Sequence, residues 1–126
     1  MPEPHLFEYA VIRAVPLVER EEFLNVGVIL YCPKEKFLKM KFLLDEPRLK
    51  ALNRRVDIRE LREHLTSFER ICAGDEGAIG SLPLPERFRW LTAARSTIVQ
   101  TSKVHPGLCQ DAGEMLEHLF GQLVHC

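Results

Sequence analysis

The residues that could build a chemical site concentrate in two stretches that lie far apart along the chain. They are Glu22, Asn25, Gly27, Arg95, Ser96, Thr97, Gln100 and His105. An arginine such as Arg95 can hold a carboxylate or a phosphate through two parallel hydrogen bonds. If the two stretches meet in the fold, they form a polar cleft for a phosphorylated or nucleotide-like substrate. The alternative is an internal Glu22–Arg95 ion pair that only fastens the sheet to a helix.

No short motif of established chemistry accompanies this set of residues. The chain contains no phosphate-binding Walker loop, no G-x-S-x-G elbow, no H-E-x-x-H and no G-x-G-x-x-G. His105 precedes a proline in a predicted turn, and it could act as a general base only beside Ser96, Thr97 or Cys109. The sequence therefore leaves the catalytic residues unknown.

The cysteines give no support for a metal. Cys32, Cys72, Cys109 and Cys126 are widely spaced, and no two of them form a C-x-x-C pair. Reduced and mostly buried thiols are expected in a cytosolic chain. We therefore predict no metal and no cofactor.

Three consecutive β-strands between Phe7 and Leu44 must position the first stretch of site residues. The strand over 7–15 is apolar on both faces, which is typical of an interior strand covered on both sides. The strands over 23–32 and 37–44 flank a short reversal at Cys32–Lys36, which predicts a hairpin. Together they predict an N-terminal β-meander.

Asn25 and Gly27 are expected to point to the same face of the second strand, because side chains alternate with a period of two. A glycine inside a strand often marks a bulge or a close backbone approach. The face shared by Asn25 and Gly27 is therefore the first place to look for a site. The alternative is that Gly27 only makes room for a large neighbour such as Trp90.

The remaining apolar segments are spaced to form helices that cover the sheet. Asp57 and Asp111 are predicted helix N-caps, and Gly74 is placed to end the helix that Asp57 begins. Thr97 to Thr101 predicts a fourth extended segment. The expected fold is α+β, with an antiparallel three- or four-stranded sheet and helices packed mainly on one face. Residues 1–126 are expected to form a single domain.

The overall charge and hydropathy restrict the possible partners. The 126 residues carry a formal net charge of −1, which argues against nucleic acid as a ligand on electrostatic grounds. The basic residues between Lys34 and Arg62 keep nucleic-acid binding as a weaker alternative, although acidic residues interleave with them. No apolar run is long enough to span a bilayer and no secretory signal is visible, so we expect no membrane association and a cytoplasmic location.

Two segments together resemble a known family. EREEFLNVGVILYCPKEKFLKMKF and RFRWLTAARSTIVQTSKVHPGLC, with the terminal helix, are similar to the bacterial family called domain of unknown function 3037. That family has no assigned activity, so no catalytic role transfers. The resemblance implies a small cytoplasmic bacterial protein whose gene neighbours often encode a HipA-like kinase. The positions that the resemblance singles out are the site residues named above, together with Phe23.

These observations favour a non-enzymatic interaction or regulatory module that acts with a protein partner, which could be a HipA-like kinase. The alternative is an enzyme or ligand-binding protein that uses a cleft formed by Glu22, Asn25, Arg95 and His105. A homo-oligomer is compatible with either function.

Overall fold

The computed structural model describes residues 3–75 and 77–124. Its centre is an antiparallel sheet of five strands, which are β1 (His5–Ala14), β2 (Leu24–Cys32), β3 (Phe37–Phe42), β4 (Val99–Thr101) and β5 (His105–Cys109). The order across the sheet is β3-β2-β1-β4, and β5 also pairs with β1. The N-terminal meander and the antiparallel α+β architecture are therefore confirmed, and the sheet has one strand more than expected.

The additional strand, β5, is the segment that the sequence predicts to be a turn. Pro106 and Gly107 are common turn residues, but here Gly107 lies opposite Phe7 in the β1–β5 ladder. A Cβ at Gly107 would lie 2.5 Å from the Phe7 ring. The glycine therefore serves the packing of a buried aromatic ring and does not reverse the chain.

β4 and β5 occupy the same side of β1 and are joined through an irregularity. Thr101 pairs with Ile12 and His105 pairs with Tyr9. The β4–β5 segment therefore has three residues between these two pairs, whereas β1 has two. Ser102 bridges the irregularity, because its backbone N–H donates to Val11 O and its Oγ accepts from Val11 N–H, both at 2.8 Å. Ser102 is only 8% exposed, and its hydroxyl completes the hydrogen bonding that the interrupted ladder leaves open.

Within residues 3–75 and 77–124, five α-helices accompany the sheet. They are α1 (Glu46–Leu52), α2 (Ile58–Ala73), α3 (Gly77–Gly80), α4 (Leu84–Thr92) and α5 (Ala112–Leu123). The predicted caps are confirmed, because the carboxylates of Asp57 and Asp111 accept hydrogen bonds from the backbone N–H three residues later. Gly74 ends α2 in the left-handed conformation, with a φ of 81°.

The sheet has a hydrophobic core on each face. Helices α1, α2 and α4 cover one face, where Ile12, Ile29 and Leu65 are almost completely buried. Helix α5 covers part of the other face, where Leu30 and Phe120 are buried. The prediction of helices mainly on one face is confirmed, as is the interior position of β1. Within residues 3–75 and 77–124, no helix is long and apolar enough to cross a membrane.

Candidate functional site

A bulge in β2 decides where the first predicted site residues point. Ile12 lies opposite Gly27 and Arg13 lies opposite Asn25, so Val26 is an extra residue in β2. The extra residue shifts the alternation, and Asn25 and Gly27 therefore point to opposite faces. The prediction that they share a face is wrong. Asn25 lies on the α5 face, where its Nδ2 donates to Leu123 O at 3.3 Å.

Gly27 makes a close backbone approach and does not make room for Trp90. A Cβ at Gly27 would lie 2.6 Å from the carbonyl oxygen of Lys41 and 3.0 Å from the Cβ of Phe42. The glycine is thus required by the local spacing of β2 and β3 beside the bulge.

Three polar side chains form a row across the sheet on the α5 face. Arg13 on β1 lies between Asn25 on β2 and Gln100 on β4, and directly paired residues point to the same face. We call these three residues the Arg13 row. The Arg13 guanidinium stacks 4.2 Å from the ring centroid of Phe23, which is 45% exposed. A cation, two amides and a partly exposed aromatic ring therefore meet at one place.

Two polar atoms of the Arg13 row have no hydrogen-bond partner in the part of the chain that the structure describes. Among residues 3–75 and 77–124, nothing pairs with the buried Nε of Arg13 or the buried Oδ1 of Asn25. The Asn25 orientation follows from its hydrogen bond to Leu123 O, which requires the NH₂ group on that side. A buried polar group without a partner costs about 1–3 kcal/mol, so such groups are uncommon away from functional sites. Each of the two atoms has less than 1 Å² of accessible surface, so a ligand could reach this donor and this acceptor only if neighbouring side chains moved.

Arg95 lies on the opposite side of the sheet from the Arg13 row. Its guanidinium stacks 4.6 Å from the Trp90 ring centroid and 5.0 Å from that of Phe68, and it donates to the carbonyl oxygens of Trp90 and Ala93. Burial lowers the pKa of Arg95. These contacts hold Arg95 against α2 and α4, on the face that Asn25 does not share.

Three other predicted site residues, Glu22, Ser96 and Thr97, lie outside the strands and are exposed or bonded to residues close to them in sequence. Glu22 forms its ion pair with Arg20 at 2.6 Å, and not with Arg95. Ser96 and Thr97 are exposed, and the Thr97 hydroxyl donates to Val99 O at 2.7 Å. The Glu22–Arg95 ion pair is not formed, because Glu22 pairs with Arg20 and Arg95 packs on Trp90 and Phe68. The predicted cleft is not formed either, because the sheet separates Asn25 from Arg95.

His105 shares the α5 face with the Arg13 row but lies apart from it. It pairs with Tyr9 across the β1–β5 ladder, and the two ring centroids are 5.4 Å apart. Tyr9 and Arg13 are four residues apart on β1, which is about 13 Å in a strand. Of the eight predicted site residues, the structure thus gathers only Asn25 and Gln100 in the Arg13 row. Arg13 was not among the predicted site residues. The sequence feature that could have indicated it is a single cation among the apolar side chains on one face of β1.

A second candidate surface lies at the outer edge of β3. A cavity of about 500 Å³ opens between this strand, α2 and α4, and we call it the β3 groove. It is lined by Lys36, Phe37, Leu38, Lys39, Met40, Glu69, Cys72, Ala73, Leu84 and Arg87. Arg87 is fixed in its wall by donating to Cys72 O at 3.0 Å and Leu82 O at 2.8 Å. Burial raises the pKa of the Cys72 thiol to about 12, so this sulfur is neutral at physiological pH.

The outer edge of β3 keeps free backbone groups. Leu43 N–H donates to Val26 O at 2.7 Å, and in an antiparallel ladder the residues that pair with the neighbour alternate. Lys41 and Lys39 therefore also turn their backbone groups toward β2, whereas those of Leu38 and Met40 face outward. No strand within residues 3–75 and 77–124 pairs with this edge.

The fold and these two surfaces define a small α+β protein with an open sheet edge and a separate polar row. The family described as "Protein of unknown function (DUF3037)" matches residues 9–124, and the chain belongs to that family. No curated protein and no solved structure shows a significant match to the chain.

Proposed function

We propose that this protein is a non-enzymatic interaction module, a cytoplasmic bacterial protein that binds a partner protein through the β3 groove. The observation that carries the proposal is the open edge of β3 beside this groove. Addition of an extended segment to a free sheet edge is a common mode of peptide recognition, in which the backbone supplies affinity and pockets supply specificity. The outward backbone groups of Leu38 and Met40 would pair with the segment, and the groove would receive alternate side chains.

The charges around the groove favour an acidic segment. Lys36 and Lys39 are exposed cations at its rim, and Glu69 is the one acidic residue among the lining residues. Two copies of β3 would bring their lysines together, and like charges on paired edges are unfavourable. A segment of another protein with Asp or Glu side chains is therefore the better occupant than a second copy of this chain. A HipA-like kinase is the partner that the family resemblance suggests.

Reversal of the groove charges is expected to weaken binding to the partner. The double variant Lys36→Glu, Lys39→Glu should bind a HipA-like kinase from the same host at least about tenfold more weakly in calorimetry, which corresponds to about 1.4 kcal/mol. Lys103→Glu is the matched control, because Lys103 is an exposed lysine on the other side of the sheet. In the complex, hydrogen exchange should slow in residues 37–42.

The same experiment separates the proposal from its competitors. Kinase binding that is equally strong in the double variant, with no slowed exchange in residues 37–42, would contradict binding at β3. Absence of any binding would remove the kinase as the partner. A stable dimer of this protein that protects the same residues would assign the edge to a second copy.

The Arg13 row supports a second candidate function, the binding of a nucleotide-like ligand. Once uncovered, the Nε–H of Arg13 could donate to a ligand and the Oδ1 of Asn25 could accept from it. The edge of adenine presents the complementary pair, an acceptor at N7 beside a donor at N6. Phe23 would provide a face on which a base can stack. This proposal replaces the predicted cleft around Glu22, Arg95 and His105, whose members lie apart.

AMP is the probe for this second function. Binding of AMP should raise the melting temperature of the protein, and saturation at a hundred times the dissociation constant contributes about 2.7 kcal/mol. Arg13→Met should abolish the shift because it removes the donor, whereas Arg20→Met should keep it, since Arg20 pairs with Glu22 at the surface. An equal shift with inorganic phosphate, or none with AMP, would contradict recognition of the base.

A further inference from the structure

Three side chains capable of binding a metal converge at the end of the sheet opposite to the Arg13 row. His5 begins β1, Cys32 ends β2, and Glu35 lies in the turn between β2 and β3. The His5 Nδ1 lies 2.8 Å from Glu35 Oε2, and the Cys32 Sγ lies 3.7 Å from the same oxygen. One ligand atom from each residue falls within 4.8 Å of the other two.

A second sulfur lies beside this group. Cys109 ends β5 and is directly opposite His5 in the ladder. Its side chain belongs to the same buried cluster as Cys32, on the α5 face of the sheet. Both sulfurs are buried, at 0% and 5% exposure, whereas the His5 and Glu35 side chains are 22% and 25% exposed. The group therefore has an apolar, sulfur-lined inner side and an opening through which an ion can enter.

The backbone of α5 already orients the carboxylate. The N–H of Ala112, the first residue of α5, donates to both oxygens of Glu35 at 3.2 and 3.0 Å. Metal-binding carboxylates and histidines are commonly held by such outer hydrogen bonds, which set their direction. Three strands and one helix thus fix the position of Glu35 relative to the two sulfurs and the imidazole.

From this geometry we propose that His5, Cys32 and Glu35 form a binding site for Zn²⁺, with a water molecule completing the tetrahedron. A tetrahedral zinc ion bound about 2.0 Å from nitrogen and oxygen and about 2.3 Å from sulfur has ligand atoms about 3.3–3.8 Å apart. The Cys32–Glu35 separation has this value, and the His5–Glu35 contact needs to lengthen by about 0.5 Å. Thiolate ligands select zinc over magnesium and calcium, which prefer oxygen ligands. The ion takes the place of the proton that joins His5 to Glu35, and the Cys32 thiol releases its own proton to solvent when it becomes a thiolate ligand.

The alternative is that the group is only a set of hydrogen bonds that ties the β2–β3 turn to β1 and α5. The two interpretations differ in their response to metal. A hydrogen-bonded group without metal affinity has no spectrum with Co²⁺ and no dependence on Zn²⁺. A thiolate site binds Co²⁺ with the intense sulfur-to-metal absorption of a tetrahedral complex and releases it to Zn²⁺.

The test uses the full chain, stripped of metal and kept reduced with a phosphine, and titrated with Co²⁺ and then Zn²⁺. We expect one equivalent of Co²⁺ to produce the thiolate absorption and Zn²⁺ to abolish it. Cys32→Ser and Glu35→Gln should each lower the Zn²⁺ affinity at least about a hundredfold, the upper end of the loss seen for outer-shell partners. Zn²⁺ should also raise the melting temperature of the unmodified protein and not that of Cys32→Ser.

Cys72→Ser is the matched control, because Cys72 is an equally buried thiol on α2 at the other face of the sheet. It should leave the absorption and the affinity unchanged. Circular dichroism without metal confirms that each variant is folded. Absence of thiolate absorption, an octahedral Co²⁺ spectrum, or a Zn²⁺ affinity that survives in both Cys32→Ser and Glu35→Gln would overturn the proposal.

Discussion

Gly27→Ala is expected to lower the free energy of unfolding by about 2–3 kcal/mol, the cost of forcing extra atoms into a closely packed site. The new Cβ would lie 2.6 Å from the carbonyl oxygen of Lys41, and a backbone atom in a paired strand cannot move aside as a side-chain end can. The β2–β3 hairpin would have to separate locally, next to the bulge at Val26. Urea denaturation followed by circular dichroism measures the change.

Gly121→Ala is the control for this variant. Gly121 lies in α5, and a Cβ there would meet no atom of residues 3–75 and 77–124 within 4 Å. Alanine in a helix interior is more favourable than glycine by about 0.5–1 kcal/mol, so this variant should gain stability. If Gly27→Ala unfolds at the same urea concentration as the unmodified protein, the close approach of β2 and β3 is not as described.

Leu65→Ala is expected to destabilise the protein by about 3–5 kcal/mol, in the upper range for a leucine that leaves a cavity. Leu65 is 0% exposed and packs α2 against the same core as Ile12 and Ile29. Because α2 covers the sheet and also forms one wall of the β3 groove, the variant should weaken partner binding through loss of folded protein. Calorimetric melting gives the stability change.

Glu63→Ala tests whether this loss is specific to burial. Glu63 lies two residues earlier in α2, is exposed, and pairs only with Arg59 at 3.3 Å in the described chain. Such a surface pair contributes little, so the change should stay within about 0.5 kcal/mol. Comparable losses in both variants would mean that α2 is held by its surface charges and not by the core.

The elements of the fold could be predicted where the signal is local. Strand alternation located the meander, and Asp57, Asp111 and Gly74 marked helix ends because capping depends on residues only a few positions apart. β5 was missed because Pro106 and Gly107 are read locally as a turn. Their strand conformation depends on Phe7, which is distant in the sequence.

The candidate site was harder to predict because one inserted residue reverses the direction of its neighbours. The bulge at Val26 moved Asn25 to the face opposite Gly27, and alternation alone cannot locate a bulge. Arg95 was expected to meet Glu22 by charge, but it stacks on aromatic rings of α2 and α4, and Glu22 pairs with Arg20. The cysteines were judged by sequence spacing, whereas the β2–β3 turn and the start of β1 bring Cys32 together with Glu35 and His5.

The irregularity that Ser102 bridges also limits how these molecules can polymerise. Growth of a cross-β fibre requires every molecule to extend a ladder on both of its sides. The side made by β4 and β5 has an extra residue and carries Pro106, so it offers no continuous ladder to a neighbour. Two molecules that paired through their β3 strands would therefore have no continuous sheet edge left for a third molecule. The aggregate would stop at a dimer.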